Sequence, residues 1–331
     1  MTKPLFSGKA IPCPLCSGDD HTVVGITDRH GKALRTVLCR DCGHVFTNPQ
    51  PTAQKISAFY EHRYRTAYKG TATPKPKHVY RAGLRALERF DQLKSFCTQG
   101  VRVLDVGSGG GEFAYLMRKL GFHMLGIEPN QGYAEFSRNE YDLDVNVGGV
   151  ENIPETNQAY DIITLYHVLE HLASPVAVLA QLRESLNDDG LLIVEVPNVE
   201  ARYHGPNRQF HLAHLHSFSL EGLQLAGNRA GLTATSVTLQ PHTKHISIIF
   251  KKASETYNEA REKGIPKRIE DRLRRHTQMS DFFSARPYRR LWANFKRPIR
   301  ERLALARLGN PADTQTILDR LYSDLCDRQA V

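Results

Sequence analysis

Apolar residues along this chain fall into two patterns. Short apolar runs, typical of buried strands, alternate with stretches in which apolar residues recur every three or four positions, typical of amphipathic helices. We predict strands at Val101–Asp105, His123–Ile127, Asp161–Leu165, Leu191–Val196, Thr233–Leu239 and His245–Phe250. We predict helices at Val79–Leu93, Pro175–Leu186 (with Asn187–Gly190 as its stop) and Leu220–Ala230. This alternation predicts an α/β fold built around a mostly parallel sheet.

A glycine-rich turn follows the strand that ends at Asp105. Glycines at positions 107, 109 and 111 precede an amphipathic helix, an arrangement that holds a nucleotide-like cofactor over the end of a parallel sheet. The dinucleotide fingerprint G-x-G-x-x-G would need a glycine where this chain has Glu112. The acidic Asp105 suits a cation better than a pyrophosphate, which it would repel. S-adenosylmethionine carries a sulfonium and an α-ammonium group, and it fits this pattern.

A second carboxylate supports the same interpretation. The strand at His123–Ile127 is followed by Glu128, about 20 residues past the turn, where a carboxylate can bridge two ribose hydroxyls. The pattern therefore predicts a site that holds both the charged and the ribose parts of the cofactor.

Two stretches of the sequence resemble class I S-adenosylmethionine-dependent methyltransferases. The stretch VLDVGSGGGEFAYLMRKLGFHMLGIEPN resembles the first two motifs of that family, and AYDIITLYHVLEHLASPVAVLAQLRESLNDDGLLIVEVPN resembles the next one. The resemblance covers about residues 85–250. It implies a doubly wound, mostly parallel, seven-stranded Rossmann-like sheet closed by an antiparallel hairpin, with S-adenosyl-L-methionine as cofactor.

The same resemblance implies which residues bind the cofactor. The expected contacts are Asp105, Gly107, Ser108, Gly109, Gly111, Glu128, Pro129, Val150, Glu151 and Tyr166. One position departs from the family, because Gly149 stands where many members place an aspartate against the adenine amino group. We therefore expect the backbone of Val150 or the side chain of Glu151 to recognise adenine.

Two C-x-x-C pairs near the N-terminus predict a structural zinc site. Cys13 with Cys16, and Cys39 with Cys42, give four thiolates for a closed tetrahedral S4 site, and the residues between the two pairs predict two strands joined by a turn near His30 and Gly31. A segment this small needs the metal for stability. The stretch CRDCGHVFTNPQPTAQKISAFYEHRYR resembles zinc-ribbon modules fused to some bacterial methyltransferases, many of which act on sugars or other small intermediates. A redox role for one pair is the alternative.

These patterns divide the chain into four segments. We predict a zinc ribbon at 1–50, a helical cap and connector at 51–78, the methyltransferase domain at 79–253 and a basic helical extension at 254–331. The cap contains a predicted helix at Ile56–Tyr64, whose aromatic residues either cover the substrate pocket or pack the ribbon on the main domain. Those aromatic residues are Phe59, Tyr60, Tyr64 and Tyr68.

Methyl transfer from a sulfonium is an in-line displacement that needs an aligned acceptor and a base. Histidine is the natural base near neutral pH. We predict His214 and His211 as the leading candidates, then His167, whereas His171 suits a structural hydrogen bond. An alternative places a divalent metal on His167, Glu170 and His171. The residues expected to contact substrate are Tyr203, Asn207 and Arg208.

The net charge of +9 belongs to the C-terminal part. Residues 251–331 contain 19 Lys and Arg against 11 Asp and Glu, whereas the first 250 residues are nearly neutral. Aromatic residues accompany the basic ones, and Leu291, Phe295, Ile299 and Leu303 recur at near-helical spacing. Three alternatives fit this tail: a helical arm that buries its apolar stripe on the protein or in a homodimer, an interfacial helix on an anionic membrane surface, or a nucleic-acid footprint.

Composition sets the cellular context. No apolar run approaches the roughly 18 residues that span a bilayer, and no signal-peptide pattern precedes the first cysteines, so we expect a cytoplasmic protein. We predict methyl transfer to a small-molecule acceptor: a sugar, a sugar nucleotide or a natural-product intermediate. An RNA methyltransferase is the second hypothesis, and a non-catalytic cofactor-binding interaction protein is the third.

Overall fold

The computed structural model describes most of the chain. The described residues are 9–51, 74–98, 100–154, 158–201, 205, 209–238, 244–254, 264–309, 311 and 313–329. Several predictions concern residues outside these ranges: the helix at Ile56–Tyr64 with its aromatic side chains, and the substrate contacts Tyr203, Asn207 and Arg208.

Strands and helices alternate through the middle of the chain, as the hydrophobic pattern predicts. The strands are β1 His21–Thr27, β2 Ala33–Cys39, β3 Val45–Thr47, β4 Arg102–Val106, β5 His123–Glu128, β6 Val145–Val147, β7 Tyr160–Tyr166, β8 Leu186–Pro197, β9 His216–Ser217, β10 Leu232–Thr238 and β11 His245–Lys252. The helices are α1 Pro76–Leu93, α2 Glu112–Lys119, α3 Gln131–Tyr141, α4 Pro175–Glu184, α5 Leu220–Arg229, α6 Ile265–Arg274, α7 Gln278–Phe282, α8 Arg286–Arg307 and α9 Thr314–Gln329.

Seven strands form the central sheet in the order β10-β11-β8-β7-β4-β5-β6. β4, β5 and β6 pair in parallel, whereas β10 pairs antiparallel with β11, and β11 antiparallel with β8. This confirms the predicted α/β fold with a mostly parallel Rossmann-like sheet and an antiparallel hairpin at one edge. Ligands of such sheets bind outside the carboxyl ends of the strands.

One predicted boundary is wrong. The helix ends at Glu184, and β8 begins at Leu186, so Asn187–Gly190 lies within the strand and does not form a stop. The side chain of Leu186 is buried, and the strand begins there, five residues earlier than the predicted start at Leu191. Local turn propensity is here overridden by packing in the core.

The chain forms two compact units, each built from two segments. The first contains residues 1–56 and 165–290, and the second contains residues 57–164 and 291–331. The predicted division into four segments stays a prediction. None of the helices within the described ranges is long and apolar enough to cross a membrane.

The first unit contains a second, four-stranded sheet in the order β1-β2-β3-β9. All of its pairings are antiparallel, and its last strand comes from a distant part of the sequence, because Phe46 of β3 pairs with His216 of β9. Helix α6 packs on the N-terminal part of this unit, where Ile269 joins Leu38 and Val45 in one buried cluster. The start of the C-terminal extension is therefore part of the ribbon's core.

In the second unit, α9 packs against α1 and α2. Gly83 of α1 makes the close approach possible, because a Cβ there would lie 2.8 Å from Leu318 Cδ2 and 2.9 Å from Leu321 Cδ1. The buried Tyr322 donates a hydrogen bond from its hydroxyl to the backbone carbonyl of Glu112, at 2.9 Å. The C-terminal helix thus braces the first turn of α2, directly after the glycine-rich turn.

Candidate active site

The glycine-rich turn has a backbone that favours glycine at three positions. Gly107, Gly109 and Gly111 have φ angles of 76°, 63° and 84°, in the left-handed region. At Gly111, a Cβ would also lie 2.8 Å from Leu143 Cδ1. The backbone N–H groups of Gly107 and the next residue donate to the carbonyl of Ile127, at 2.7 and 3.0 Å. These bonds bend the turn over the end of β5.

Glu128 lies at the end of β5, next to the glycine-rich turn. Its buried carboxylate accepts a hydrogen bond from the backbone N–H of Gly109 at 2.8 Å, and another from that of Asn130 at 3.0 Å. The structure therefore brings together the two motifs that the sequence analysis assigned to one cofactor. The contact of Glu128 with a ribose stays a prediction.

Asp105 is buried at the end of β4. Thr164 donates a hydrogen bond from Oγ1 to Asp105 Oδ1 at 2.7 Å. Burial is the largest influence on this carboxyl and raises its pKa to about 6, although the Thr164 bond acts in the opposite direction. A cation beside Asp105 would favour its charged form. Sequence reasoning missed Thr164, and the only signal for it is a polar residue within an otherwise apolar strand.

The predicted adenine contacts lie in one short 3₁₀ turn at Val150–Asn152. The backbone N–H of Gly149 donates to the side chain of Glu151 at 3.2 Å and to that of Asn152 at 3.1 Å. Glu151 therefore folds back over the position where the family places an aspartate. This brings a carboxylate to the neighbourhood that the sequence analysis expected, while the contact with adenine stays a prediction.

The other predicted cofactor residues lie beside these groups or at the end of β7. Ser108 is buried, and Gly126 leaves room for it, because a Cβ on Gly126 would lie 2.9 Å from Ser108 Oγ. Pro129 is half-buried and directly follows Glu128. Tyr166 is buried at the end of β7. Their contacts with the cofactor stay predictions.

The four N-terminal cysteines converge on one point in the first unit. Cys13 Sγ lies 3.6 Å from Cys42 Sγ, and Cys16 Sγ lies 3.5 Å from Cys39 Sγ. All four are buried, and their sulfurs lie within 4.8 Å of one another. Tetrahedral coordination at a Zn–S distance of about 2.3 Å places sulfurs about 3.8 Å apart. The arrangement fits a zinc ribbon, as the sequence predicts.

Two buried histidines connect this ribbon to the histidine-rich loop at 211–216. His44 Nε2 lies 3.0 Å from His216 Nδ1. On either side of the loop, the N–H of Thr47 donates to the carbonyl of Leu215, and that of Arg29 donates to the carbonyl of Phe210, at 2.9 and 2.8 Å. The ribbon therefore holds both ends of the loop, a connection that the sequence analysis did not predict.

His171 and Glu170 lie beneath this loop. His171 Nδ1 lies 2.8 Å from the backbone carbonyl of Ala213, to which it donates. His171 Nε2 lies 3.7 Å from Glu170 Oε1. The predicted structural hydrogen bond of His171 is thus present. One ring nitrogen of His171, a Glu170 oxygen and a ring nitrogen of His214 all lie within 4.8 Å of one another.

The three candidate bases differ in protonation. Burial, followed by the neighbouring histidines, lowers the pKa of His214 well below its usual range. His211 is neutral at Nδ1, since that nitrogen accepts the N–H of Ala213 at 3.0 Å. His167 lies between Glu170 at 3.3 Å and Glu195 at 3.1 Å, and these carboxylates outweigh burial and raise its pKa. His214 is therefore better able than His167 to accept a proton at neutral pH, whereas the acceptor nitrogen of His211 is already used by the Ala213 N–H.

Comparisons with known proteins agree with this architecture. Residues 71–237, half of the chain, match the family model described as a methyltransferase domain. A ubiquinone biosynthesis O-methyltransferase from Azorhizobium caulinodans is 28% identical over 105 residues, which are 30% of this chain and 42% of that protein. A tRNA U34 carboxymethyltransferase from Campylobacter hominis is 32% identical over 114 residues, 32% of this chain and 40% of that protein. These matches span about two fifths of each relative.

Among solved structures, the fold resembles that of magnesium protoporphyrin IX methyltransferase from Synechocystis with bound S-adenosylhomocysteine. The TM-score is 0.48 at 10% sequence identity, over 61% of this chain and 100% of that one.

Proposed function

The chain belongs to the methyltransferase-domain family, and on that premise we propose that it transfers a methyl group from S-adenosylmethionine to a small-molecule acceptor. When bound, the cofactor supplies an electrophilic methyl group on a sulfonium. The observation that supports this proposal best is the Glu128–Gly109 hydrogen bond. It joins the carboxylate at the end of β5 to the glycine-rich turn at the end of β4, so that one ligand can contact both.

Each part of this site has a proposed role. The backbone of the glycine-rich turn contacts the methionine part of the cofactor, Glu128 accepts hydrogen bonds from the ribose, and Asp105 favours positive charge nearby. Ser108, Pro129, Val150, Glu151 and Tyr166 complete the binding surface. His214 takes the proton from the acceptor hydroxyl or amine because it is neutral at physiological pH, with His211 as the second candidate and His167 as the third.

The acceptor class rests on charge. The first 250 residues, which contain the cofactor-binding residues and all three candidate bases, carry nearly balanced charges. Binding to RNA would call for a cationic surface that pairs with phosphates. We therefore propose a sugar, a sugar nucleotide or a natural-product intermediate as acceptor, although one relative acts on tRNA. The ribbon supports the same class, because it resembles modules fused to methyltransferases of small molecules.

Calorimetry of the zinc-loaded full chain with S-adenosylmethionine and S-adenosylhomocysteine tests the cofactor site. We expect both to bind, and Glu128→Gln to weaken binding about 10- to 100-fold, since a charge-assisted hydrogen bond is worth about 1.5–3 kcal/mol. Glu135→Gln, on an exposed position of α3, is the matched control and keeps wild-type affinity. If neither compound binds the wild-type chain, the proposal fails. Transfer of radiolabelled methyl groups to sugar nucleotides, phenols and RNA then identifies the acceptor class.

A second candidate function for the histidine cluster is to bind a divalent metal. His171 donates Nδ1–H to the carbonyl of Ala213, as is common in histidines that ligate a metal through the other ring nitrogen. In the described part of the chain, Glu170 Oε2 is buried without a hydrogen-bond partner. Together with His214, these residues offer two nitrogens and one oxygen. This ligand set contains His214 in place of the His167 of the sequence-based alternative.

Metal binding and proton transfer both use a ring nitrogen of His214, so a metal count separates them. If the cluster binds a metal, electron paramagnetic resonance will detect one tightly bound Mn²⁺ per chain in addition to the ribbon's zinc. Glu170→Gln will then lose the Mn²⁺ and keep the zinc, while His123→Ala, which removes an exposed histidine at the start of β5, will keep both. Absence of bound Mn²⁺ in the wild-type chain leaves His214 to act as the base.

A further inference from the structure

Helix α8 has an apolar stripe that nothing in the described structure covers. Its six large apolar residues are each at least 50% exposed: Tyr288, Leu291, Trp292, Phe295, Ile299 and Leu303. At about 100° per residue they occupy an arc of about 120° on the helix. The helix has no buried residue at all. The described part of the chain therefore does not bury the stripe, and burial in a homodimer remains one of the alternatives for the tail.

An ion pair on the other side of α8 fixes how the helix is rotated about its axis. Both oxygens of Glu301 accept hydrogen bonds from Arg81 of α1, one of them at 2.6 Å from Nη2. Arg297 donates to the same carboxylate at 3.0 Å. Glu301 lies about 140° around the helix from the centre of the stripe. The contact that attaches α8 to the second unit therefore directs the apolar stripe away from it.

One flank of the stripe is cationic, because Arg289, Lys296, Arg300 and Arg307 lie about 80–120° from its centre. The helix contains eight Arg and Lys residues and one acidic residue, Glu301, which pairs with Arg81 and Arg297, while Arg290 pairs with Asp281. Lys296 Nζ lies 4.2 Å from the centroid of the Trp292 ring, at the border between the two surfaces. Basic residues beside an exposed stripe that contains Trp, Phe and Leu are typical of helices that lie in the interface of an anionic bilayer.

We propose that α8 attaches this protein to an anionic lipid surface, with the helix axis parallel to the membrane and the stripe inserted at the level of the lipid headgroups. The cationic flank contacts acidic headgroups, and the stripe contacts the outer part of the acyl chains. Attachment is peripheral and does not depend on the methyl-transfer reaction.

Charge and shape favour a membrane over the other two occupants. A symmetric dimer through the stripe would bring two equally cationic helices together, and like charges at an interface oppose association. The phosphates of RNA would pair with the arginines. The aliphatic side chains of Leu291, Ile299 and Leu303 would gain nothing from RNA, because they cannot stack on bases as aromatic rings do. An anionic bilayer satisfies both surfaces at once.

Trp292 gives a direct test because it is the only tryptophan of the chain. We expect its fluorescence to shift to shorter wavelengths with vesicles of phosphatidylcholine and phosphatidylglycerol, and to be quenched by brominated lipid. The full chain should sediment with these vesicles, and with pure phosphatidylcholine vesicles at least about tenfold less well. Rising salt should weaken sedimentation.

Two variants complete the experiment. Leu291→Glu with Phe295→Glu keeps Trp292 as a probe and should lower vesicle affinity about tenfold or more. Ile26→Glu changes an equally exposed apolar residue far from α8 in sequence and should sediment like the wild-type chain. The proposal is overturned if the wild-type chain shows neither spectral shift nor sedimentation. It is also overturned if the wild-type chain forms a dimer without lipid and the double variant abolishes that dimer without changing vesicle binding. A wild-type chain that binds RNA through α8 and does not bind vesicles would overturn it as well. Cofactor affinity, measured in parallel, reports on the methyltransferase proposal separately.

Discussion

Thr164 Oγ1 donates a 2.7 Å hydrogen bond to Oδ1 of the buried Asp105. This is the hydrogen bond that lowers the pKa of Asp105, and burial raises that pKa more strongly, to about 6. Without a ligand, the folded protein therefore holds a proton on this carboxyl at mildly acidic pH, where the unfolded chain does not. Stability and cofactor binding should both depend on pH through this single group.

The direction in which the free energy of unfolding changes with pH follows from the number of protons that the folded and unfolded states bind. Between about pH 4 and pH 6 the folded state binds more protons at Asp105 than the unfolded state, so the stability contributed by this group falls as pH rises. The loss reaches about 3 kcal/mol above pH 6. We expect the difference in unfolding free energy between the wild type and Asp105→Asn to fall as pH rises through this range, because the buried histidines contribute equally to both proteins. A difference in urea unfolding that stays constant from pH 4 to pH 7 would contradict the assignment.

Cofactor binding should depend on pH in the opposite direction. A cationic ligand beside Asp105 favours the carboxylate, so affinity for S-adenosylmethionine should rise from pH 5 to pH 7 with release of a proton on binding. Calorimetry in buffers of different ionisation enthalpy measures that proton. Asp105→Asn should bind more weakly at pH 7 and release no proton. An unchanged proton count would mean that Asp105 does not face the ligand.

The local parts of the site could be predicted from the sequence, and the long-range parts could not. Spacing alone predicts the order of strand, glycines and helix from β4 to α2. It also predicts the convergence of Cys13 with Cys42, because each C-x-x-C pair directs two sulfurs toward one point. The pairing of Tyr322 with Glu112 joins residues 210 positions apart. An amphipathic pattern shows that a helix has an apolar face, but it does not indicate which element that face will pack against.

The base can be identified by its pH dependence as well as by substitution. The low pKa of His214 places the acidic limb of the rate profile well below pH 6.5, whereas the raised pKa of His167 would place it above pH 6.5. We expect His214→Ala to lower turnover about 100-fold with little change in cofactor affinity. His211→Ala is the companion variant. A larger loss there than in His214→Ala would transfer the role to His211.

The ribbon's metal should stabilise the histidine-rich loop through the His44–His216 contact. We expect Cys39→Ser to lose about one zinc per chain by elemental analysis and to lower the melting temperature. Turnover should fall because the loop at 211–216 loses its support, while cofactor affinity is retained. Cys97→Ser removes a thiol outside the cluster and should keep the zinc. Zinc that survives the Cys39 change would contradict the ribbon site.

Two glycines at the ends of α2 allow the stability cost of a left-handed backbone to be measured apart from the cost of a steric clash. Gly111 and Gly121 both have φ of 84°, but only Gly111 faces close neighbours, with Leu143 Cδ1 2.8 Å and Ser137 Oγ 2.9 Å from a built Cβ. An alanine at Gly121 should cost about 1–2 kcal/mol, the left-handed penalty alone. At Gly111 the forced contacts add about 1–3 kcal/mol.

Urea unfolding of Gly111→Ala and Gly121→Ala measures this difference. The larger loss of stability at Gly111 should be accompanied by weaker binding of S-adenosylmethionine, because the neighbours can only be accommodated by moving the turn whose N–H at Gly109 holds Glu128. Gly121 lies at the other end of α2, where no atom of the described residues comes within 4 Å of a built Cβ, so its variant should bind the cofactor normally. Equal losses of stability in the two variants, with equal cofactor affinity, would show that the turn adapts to the added methyl group and that its shape does not set the affinity.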